Sequence, residues 1–221
     1  MEISQQAIDL IIAWEVADGE RAYARARYEE RFSKPHWSGD DAEGLTIGIG
    51  YDLRHARSWY LADWKTRLET YRATPDAYQR LLPYVGKIGS REAVRKTHGI
   101  DIRFEDAIAV FKVRTLPFFV DEARRRFPGV QTLGGHVWGA LTSLVFHRPV
   151  GTATERRARK EDNYTVIQEA VQARDLRAVA AGLRAFKGAY DERLPKTQID
   201  LERRREDEAR LVDLAAGSAA A

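Results

Sequence analysis

The sequence predicts a mainly helical α+β fold, in which a small β-hairpin lobe packs against a helical body. Apolar residues recur with a helical period over most of the chain. One segment near residue 50 has the paired glycines of a tight hairpin. The chain has no cysteine, so we expect packing rather than disulfides to stabilise it. Its 221 residues, 44% of them hydrophobic, predict one domain over residues 1–221: hairpin lobe 20–56, helical body 57–214 and a disordered tail 215–221.

The first predicted helix follows Ser4, a suitable N-cap, and ends before Gly19. Apolar side chains recur at helical spacing from Ile8 to Val16, which is typical of an amphipathic helix. Glu15 belongs to the same series. Its carboxylate is therefore expected on or beside the buried face, near the end of the helix.

Later segments are predicted as loops and short strands up to the hairpin, and as helices beyond it. Residues 22–53 are rich in glycine, serine, proline and aromatics, which favours loops and strands. Pro117 is expected to kink or break the longest helix. The predicted helices cover residues 59–71, 77–82, 90–97, 102–127, 136–146, 164–173, 176–186 and 201–214.

The most distinctive segment is Glu43-Gly-Leu-Thr-Ile-Gly-Ile-Gly-Tyr-Asp-Leu53. A three-residue loop from Gly48 to Gly50, with glycines in the left-handed conformation, would place Thr46 opposite Asp52. Opposed residues share one face of the sheet, with Cβ atoms about 4.5–5.5 Å apart. We therefore expect the hydroxyl and the carboxylate to hydrogen-bond to one another or to share a water.

Together, Glu15 and the hairpin supply what glycoside hydrolysis requires. That reaction uses one carboxylic acid with a raised pKa and a second carboxylate that stays ionised. An apolar helix face favours the first state and a polar hairpin the second. Each feature also has a structural interpretation, because an acid at the end of an apolar stripe is usually a rim residue paired with an arginine. A Gly-x-Gly turn is common, and here it lacks the remaining features of a dinucleotide-binding fingerprint.

In this order, the features resemble the phage-type lysozymes and endolysins. The resemblance covers the N-terminal third, where an apolar helix ends in Glu15 and Thr46-Ile-Gly-Ile-Gly50 follows. Near the C-terminus, Gly139–Phe146 is similar to the family's central buried helix, and Leu201–Leu211 to its terminal double-arginine helix. The middle of the chain matches only in helical character.

The resemblance implies a lysozyme-like fold, with Glu15 as the general acid and Thr46 as the hydroxyl that places the attacking water. Most endolysins carry the second carboxylate before the threonine, which corresponds to Asp40. In the bacteriocin pesticin and its relatives the carboxylate follows the threonine by six residues, which corresponds to Asp52. The hairpin geometry favours Asp52, and Asp40 remains the alternative.

Candidate substrate-contacting residues are Tyr51, Gly48 and Gly50 of the hairpin, together with His147. His147 stands where many relatives have asparagine, and a helix C-cap is the alternative role for it. The other histidines form no close-spaced ligand pair, so the sequence predicts no metal site and no cofactor.

The expected reaction is hydrolysis of the β-1,4 bond between N-acetylmuramic acid and N-acetylglucosamine in peptidoglycan, used in bacterial lysis as a phage endolysin or an antibacterial toxin. The resemblance favours inversion at the anomeric carbon. A lytic transglycosylase, which needs only the acid, is a rival interpretation, and so is a non-catalytic wall-binding protein with this fold. A nucleic-acid binder is disfavoured because the basic residues are interleaved with acids and no recognition motif stands out.

Charge and hydropathy bear on partners and location. The formal net charge of +3 suits approach to an anionic polymer, either a cell wall or a nucleic acid, and does not distinguish the two. Neither a signal peptide nor a membrane-spanning segment is predicted. We therefore expect a monomer made in the cytoplasm and delivered to the periplasm with the help of a holin or secretion machinery, with an immunity protein as a further potential partner. The basic segment 151–162 is interpreted either as a solvated loop or as a wall-binding patch.

Overall fold

The computed structural model describes residues 2–56, 59–70, 74–147, 164–186 and 195–219. Within these ranges the protein is mainly helical with one two-stranded antiparallel sheet, which confirms the predicted mainly-α form of an α+β fold. The chain divides into two compact units, one formed by Met1–Trp14 with Phe118–Ala221 and the other by Glu15–Pro117. The basic segment 151–162 lies outside the described residues.

The unit Glu15–Pro117 contains the hairpin. In chain order its elements are the end of α1 (Gln5–Ala17), a 3₁₀ turn (Arg21–Tyr23), α2 (Ala24–Arg31), β1 (Thr46–Ile47), β2 (Tyr51–Asp52), α3 (Leu53–Ala56), α4 (Trp59–Glu69), α5 (Ala77–Leu81), a 3₁₀ turn (Leu82–Tyr84), α6 (Arg91–Thr97), α7 (Phe104–Val110) and a π-turn (Phe111–Thr115).

Helix α2 corrects the prediction of loops and strands over residues 22–53. Its sequence, Ala-Arg-Ala-Arg-Tyr-Glu-Glu-Arg, consists almost entirely of good helix formers. The buried Tyr28 anchors this helix, since its ring contacts that of Phe104 with centroids 5.1 Å apart and its hydroxyl donates to the Ile102 carbonyl at 3.1 Å.

Pro117 lies in α8 (Leu116–Arg126), directly after the π-turn. Proline has no N–H and its ring clashes with the carbonyl four residues earlier, so it disfavours a regular α-helix there. The wider π-turn interrupts the i to i−4 pattern at this position. The predicted irregularity is thus confirmed, as a π-turn within a helical segment.

The other unit is formed by helices. In chain order it contains the first residues of α1, most of α8, a 3₁₀ turn (Val130–Thr132), α9 (Gly135–Phe146), α10 (residues 164–172), α11 (Leu176–Ala185) and α12 (Pro195–Ala219). The tail 215–221 was expected to be disordered, whereas α12 continues through Ala219, where alanines favour the helix. No helix in the described ranges is long and apolar enough to cross a membrane.

Helix α9 packs closely against the start of α1. The Ser4 hydroxyl accepts the Ala7 N–H at 3.2 Å, which confirms Ser4 as the N-cap of α1. The backbone N–H of Ser4 donates to the Gly135 carbonyl at 3.0 Å. A Cβ atom at Gly139 would collide with Ala7, so the close approach of the two helices requires glycine at that position.

A buried cluster of charged side chains joins α9 to α12. Arg204 donates to the Ser143 hydroxyl at 3.1 Å and approaches His147 Nδ1 at 3.2 Å. Glu208, which is fully buried, lies 3.4 Å from Arg204 and 3.0 Å from Arg205. Both arginines are almost fully buried. The double arginine of the sequence is therefore part of the core, where removing one partner would leave an uncompensated charge.

The environment of His147 predicts a loss of stability in acid. Burial and the charges of Arg204 and Arg205 lower the pKa of His147 from 6.5 to about 3. Between these pH values the unfolded chain binds more protons than the folded chain, so acid favours unfolding. The contribution of this histidine is complete above pH 6.5 and lost below pH 3. In between we expect the free energy of unfolding to fall by up to about 1.4 kcal/mol per pH unit.

Chemical denaturation at a series of pH values measures this effect. His147→Gln, whose amide oxygen can still accept from Arg204, should flatten the profile between pH 6.5 and 3. His98→Gln, at an exposed position, is the matched control and should keep the wild-type slope. Parallel profiles for wild type and His147→Gln would show that the imidazole is not kept neutral by the fold.

Candidate active site

The hairpin has the register that the sequence predicts. Thr46 pairs with Asp52 and Ile47 with Tyr51. Gly48 and Gly50 have φ values of 59° and 67°, in the left-handed region that glycine adopts without strain. The Leu53 N–H bonds to the Leu45 carbonyl at 2.8 Å, so Thr46 and Asp52 form a non-hydrogen-bonded pair. Side chains come closest in pairs of this kind.

Backbone groups fix the carboxylate of Asp52. Its Oδ1 accepts the N–H of Gly44 at 3.0 Å and the N–H of Arg54 at 2.8 Å. Its Oδ2 lies 3.7 Å from His55 Nε2, and 21% of the side chain is exposed. In the described part of the chain, the Thr46 hydroxyl is not among the donors to this carboxylate. The direct bond that we considered is therefore not formed, and a shared water remains the predicted link.

Sequence reasoning missed a third member of this row, His36. It exchanges two backbone hydrogen bonds with Thr46, at 3.0 and 2.8 Å, on the side of β1 away from β2. Paired residues project to the same face, so the side chains of His36, Thr46 and Asp52 form a row across three chain segments. The turn-forming run Ser-Gly-Asp-Asp at 38–41 was the available signal, because such residues return a chain on itself.

His36 is uncharged at neutral pH. Burial lowers the pKa of the imidazole below its usual 6.5, opposed by the Lys34 carbonyl and by Glu43. Nδ1 lies 3.2 Å from that carbonyl, which can only accept, so Nδ1 carries the proton. Nε2 is then left as a hydrogen-bond acceptor.

Tyr51, which the sequence predicts to contact substrate, is almost fully buried in the structure. Its side chain is 5% exposed and packs edge-on against Trp64, with ring centroids 5.6 Å apart. Its hydroxyl donates to Asp63 at 2.9 Å, and Arg114 donates to both oxygens of Asp63 at 2.9 and 2.8 Å. Its hydrogen bond to Asp63, which is paired with Arg114, ties the hairpin to α4, and no local feature of the sequence indicates this contact.

Glu15 lies in the last turn of α1 and is partly exposed. The preceding residue is held, since Trp14 Nε1 donates to Asp207 at 3.1 Å. After Glu15 the helix ends at Asp18 and Gly19, which both have positive φ, and Arg31 of α2 pairs with Asp18 at 3.3 Å. The predicted helix end is thus confirmed, and Glu15 belongs to the same compact unit as the hairpin.

Asp40 occupies an exposed turn before β1. Its Oδ1 accepts the Ala42 N–H at 2.7 Å, and its carbonyl accepts from Trp37 Nε1 at 3.0 Å. These bonds are typical of an Asx turn, in which the carboxylate organises its own loop. Asp40 is not part of the row formed by His36, Thr46 and Asp52.

The remaining candidate substrate-contacting residues are Gly48, Gly50 and His147. Gly48 is buried, and a Cβ there would lie 3.2 Å from both Ala107 and Trp64. Gly50 is exposed at the tip of the hairpin. His147 is the C-cap of α9 and contacts Arg204, in agreement with the alternative role considered for it. Within the described ranges, no group of three or more histidine or acidic side chains is arranged to hold a metal ion.

Gly44 allows the Asp52 carboxylate to reach the backbone. A Cβ at this position would meet that carboxylate and lie 2.6 Å from the Arg54 nitrogen, so Gly44→Ala must displace Asp52. We expect a loss of about 1–3 kcal/mol in the free energy of unfolding, as for other overpacked sites. Gly99→Ala is the control, because the nearest atom to its Cβ is the far end of Arg80 at 3.8 Å. Urea denaturation of both variants checks the prediction. Equal free energies of unfolding for the two variants would show that the Asp52 carboxylate does not depend on close approach to the backbone at residue 44.

Comparison with known proteins adds no assignment: neither a scan against models of protein families nor a search of curated proteins finds a match.

Proposed function

We propose that this protein is a lysozyme-like glycoside hydrolase that cleaves the β-1,4 bond between N-acetylmuramic acid and N-acetylglucosamine in peptidoglycan. The observation that carries the proposal is the pairing of Thr46 with Asp52 across the hairpin. It supplies a hydroxyl and a fixed, partly exposed carboxylate on one face. A water held between them would be the nucleophile in an inverting reaction.

Glu15 is proposed as the general acid. It lies on the same face of α1 as Ile11 and Ile12, which are buried, and it is itself partly exposed. A carboxyl group at the end of a helix that a substrate can reach is what a general acid requires.

Asp52 is the better supported second carboxylate. Two backbone N–H groups hold one of its oxygens, which fixes the carboxylate on the strand that pairs with Thr46. Asp40 is tied into its own exposed turn instead. The geometry therefore supports the pesticin-like arrangement over the common endolysin one.

The cellular role proposed with this activity is bacterial lysis, as a phage endolysin or an antibacterial toxin that acts on the periplasmic wall. A holin or secretion machinery would then deliver it, and an immunity protein would protect a producing cell. The net charge of +3 favours contact with the anionic wall.

The test is a zymogram with purified peptidoglycan, followed by mass spectrometry of the released fragments. A hydrolase clears the gel and yields reducing N-acetylmuramic acid ends. Products with 1,6-anhydro ends would replace the proposal with a lytic transglycosylase. Absence of clearing, combined with sedimentation of the protein with cell walls, would replace it with a non-catalytic wall-binding protein.

A further inference from the structure

A surface cleft of about 460 Å³ lies beside the candidate active site. Its lining is formed by His36, Trp37, Ser38, Gly39, Arg91 and Val94. The volume is within the range of about 300–1,000 Å³ that small-molecule sites occupy. His36 belongs both to this lining and to the row with Thr46 and Asp52, so this residue links the cleft to the strand pair that carries the proposed chemistry.

Trp37 is held rigidly at the edge of this cleft. Its indole N–H donates to the Asp40 carbonyl at 3.0 Å. A side chain at Gly89 would collide with its ring, so ring and backbone are in close contact there. The Gly89 N–H also bonds to the Glu43 carbonyl at 2.9 Å, which ties this segment to the hairpin. An aromatic ring fixed in this way offers an apolar surface at little entropic cost on binding.

Arg91 supplies the positive charge of the lining. It is exposed, and in the ranges that the structure describes no acidic side chain lies within ion-pair distance of it. Glu43 accepts a hydrogen bond from the Ser38 hydroxyl at 2.7 Å, and the Asp40 carboxylate accepts from the backbone of its own turn. Glu92, the neighbour of Arg91, pairs with Lys96 at 2.8 Å. The guanidinium is thus available to a carboxylate of a ligand, which it matches in shape and charge.

We propose that this cleft binds a muramic acid unit of the glycan, with Trp37 against the sugar ring and Arg91 on a carboxylate carried by that sugar. The inference rests on the proposed function, and it names what makes the protein select peptidoglycan over a neutral chitin-like glycan. His36 Nε2 accepts a hydrogen bond from a hydroxyl group of the same unit. This carboxylate belongs either to the lactyl group of muramic acid or to the stem peptide attached to that group.

Binding of three soluble disaccharides tests the proposal by isothermal titration calorimetry. They are the neutral N-acetylglucosamine dimer, N-acetylglucosaminyl-N-acetylmuramic acid, and the latter with a stem dipeptide. The proposed hydrolase cleaves the bond from C1 of N-acetylmuramic acid to O4 of N-acetylglucosamine. None of the three disaccharides contains a bond in this direction, so the wild-type protein can be used. We expect both acidic disaccharides, or the one that carries the recognised carboxylate, to bind at least tenfold more tightly than the neutral one, with an advantage that decreases as salt is added.

Arg91→Gln should abolish that advantage and leave binding of the neutral dimer unchanged. Arg95→Gln removes the same charge from an exposed position on the same helix that does not line the cleft, and it should bind all three like the wild type. Trp37→Leu should weaken all three. A loss limited to the dipeptide fragment assigns the stem peptide as the source, and a loss limited to the lactyl form assigns muramic acid itself.

Equal effects of Arg91→Gln and Arg95→Gln, or equal loss for neutral and acidic disaccharides, would overturn the inference. Clearing of peptidoglycan by Arg91→Gln at the wild-type rate, with unchanged preference for acidic fragments, would overturn it while leaving the hydrolase intact. A wild-type protein that neither clears peptidoglycan nor binds any of the disaccharides would overturn both proposals.

Discussion

Glu15→Gln is expected to lower the rate of peptidoglycan hydrolysis by about 10²–10⁴-fold, because the amide cannot donate the proton that the leaving oxygen requires. The two side chains are nearly isosteric, so the variant should retain the helix end at which Glu15 lies. The measurement is the release of reducing ends from purified peptidoglycan, with thermal unfolding of the same samples as the check on folding.

Glu20→Gln is the matched control for this variant. It makes the same chemical change at an exposed position five residues later, beyond the end of α1, and should hydrolyse peptidoglycan like the wild type. A Glu15→Gln protein that is folded and keeps more than about a tenth of the wild-type rate would remove Glu15 from the role of general acid.

The parts of this site that the sequence predicted are those specified by local signals. Two glycines two residues apart, flanked by β-forming residues, determine a three-residue loop, and the loop determines the register of Thr46 and Asp52. Ser4 and Gly19 likewise bracket α1, because capping and left-handed residues act within one helical turn.

The parts that it did not predict depend on contacts distant in sequence. The ion pair of Asp63 with Arg114 joins residues 51 positions apart, and Asp63 in turn accepts a hydrogen bond from the buried Tyr51. The pairing of His36 with Thr46 requires the intervening turn to fold back, and no alternation of apolar residues marks it. Helix α2 was missed for another reason: composition averaged over residues 22–53 concealed eight consecutive residues of high helical preference.

The resemblance to endolysins left two aspartates as candidates, and the structure places them in different settings. Asp52 faces Thr46 across the sheet, whereas Asp40 closes its own turn. Each carboxylate accepts its backbone hydrogen bonds through one oxygen, Oδ1. An asparagine can keep those bonds through its amide oxygen, so the change to asparagine removes the charge and leaves the local structure in place at both positions.

Asp52→Asn is therefore expected to lower the hydrolysis rate by about 10²–10³-fold, the cost typical of losing one group that stabilises charge in a transition state. Asp40→Asn, its matched control, should remain close to the wild-type rate. Thr46→Val, which keeps the β-branched shape and removes the hydroxyl, should fall between them. The initial rate of reducing-end release measures all three.

Combining Thr46→Val with Asp52→Asn tests whether the two residues act on one water. If they do, the double variant should lose less activity, in free energy of activation, than the sum of the single losses, since either change alone already disturbs the shared water. Additive losses would mean that the residues act separately, although they face each other across the hairpin. An inactive Asp40→Asn with a near-normal Asp52→Asn would move the second carboxylate to the turn before β1. If both asparagine variants stayed active while Glu15→Gln did not, the acid would act without a second carboxylate, which is the pattern of a lytic transglycosylase.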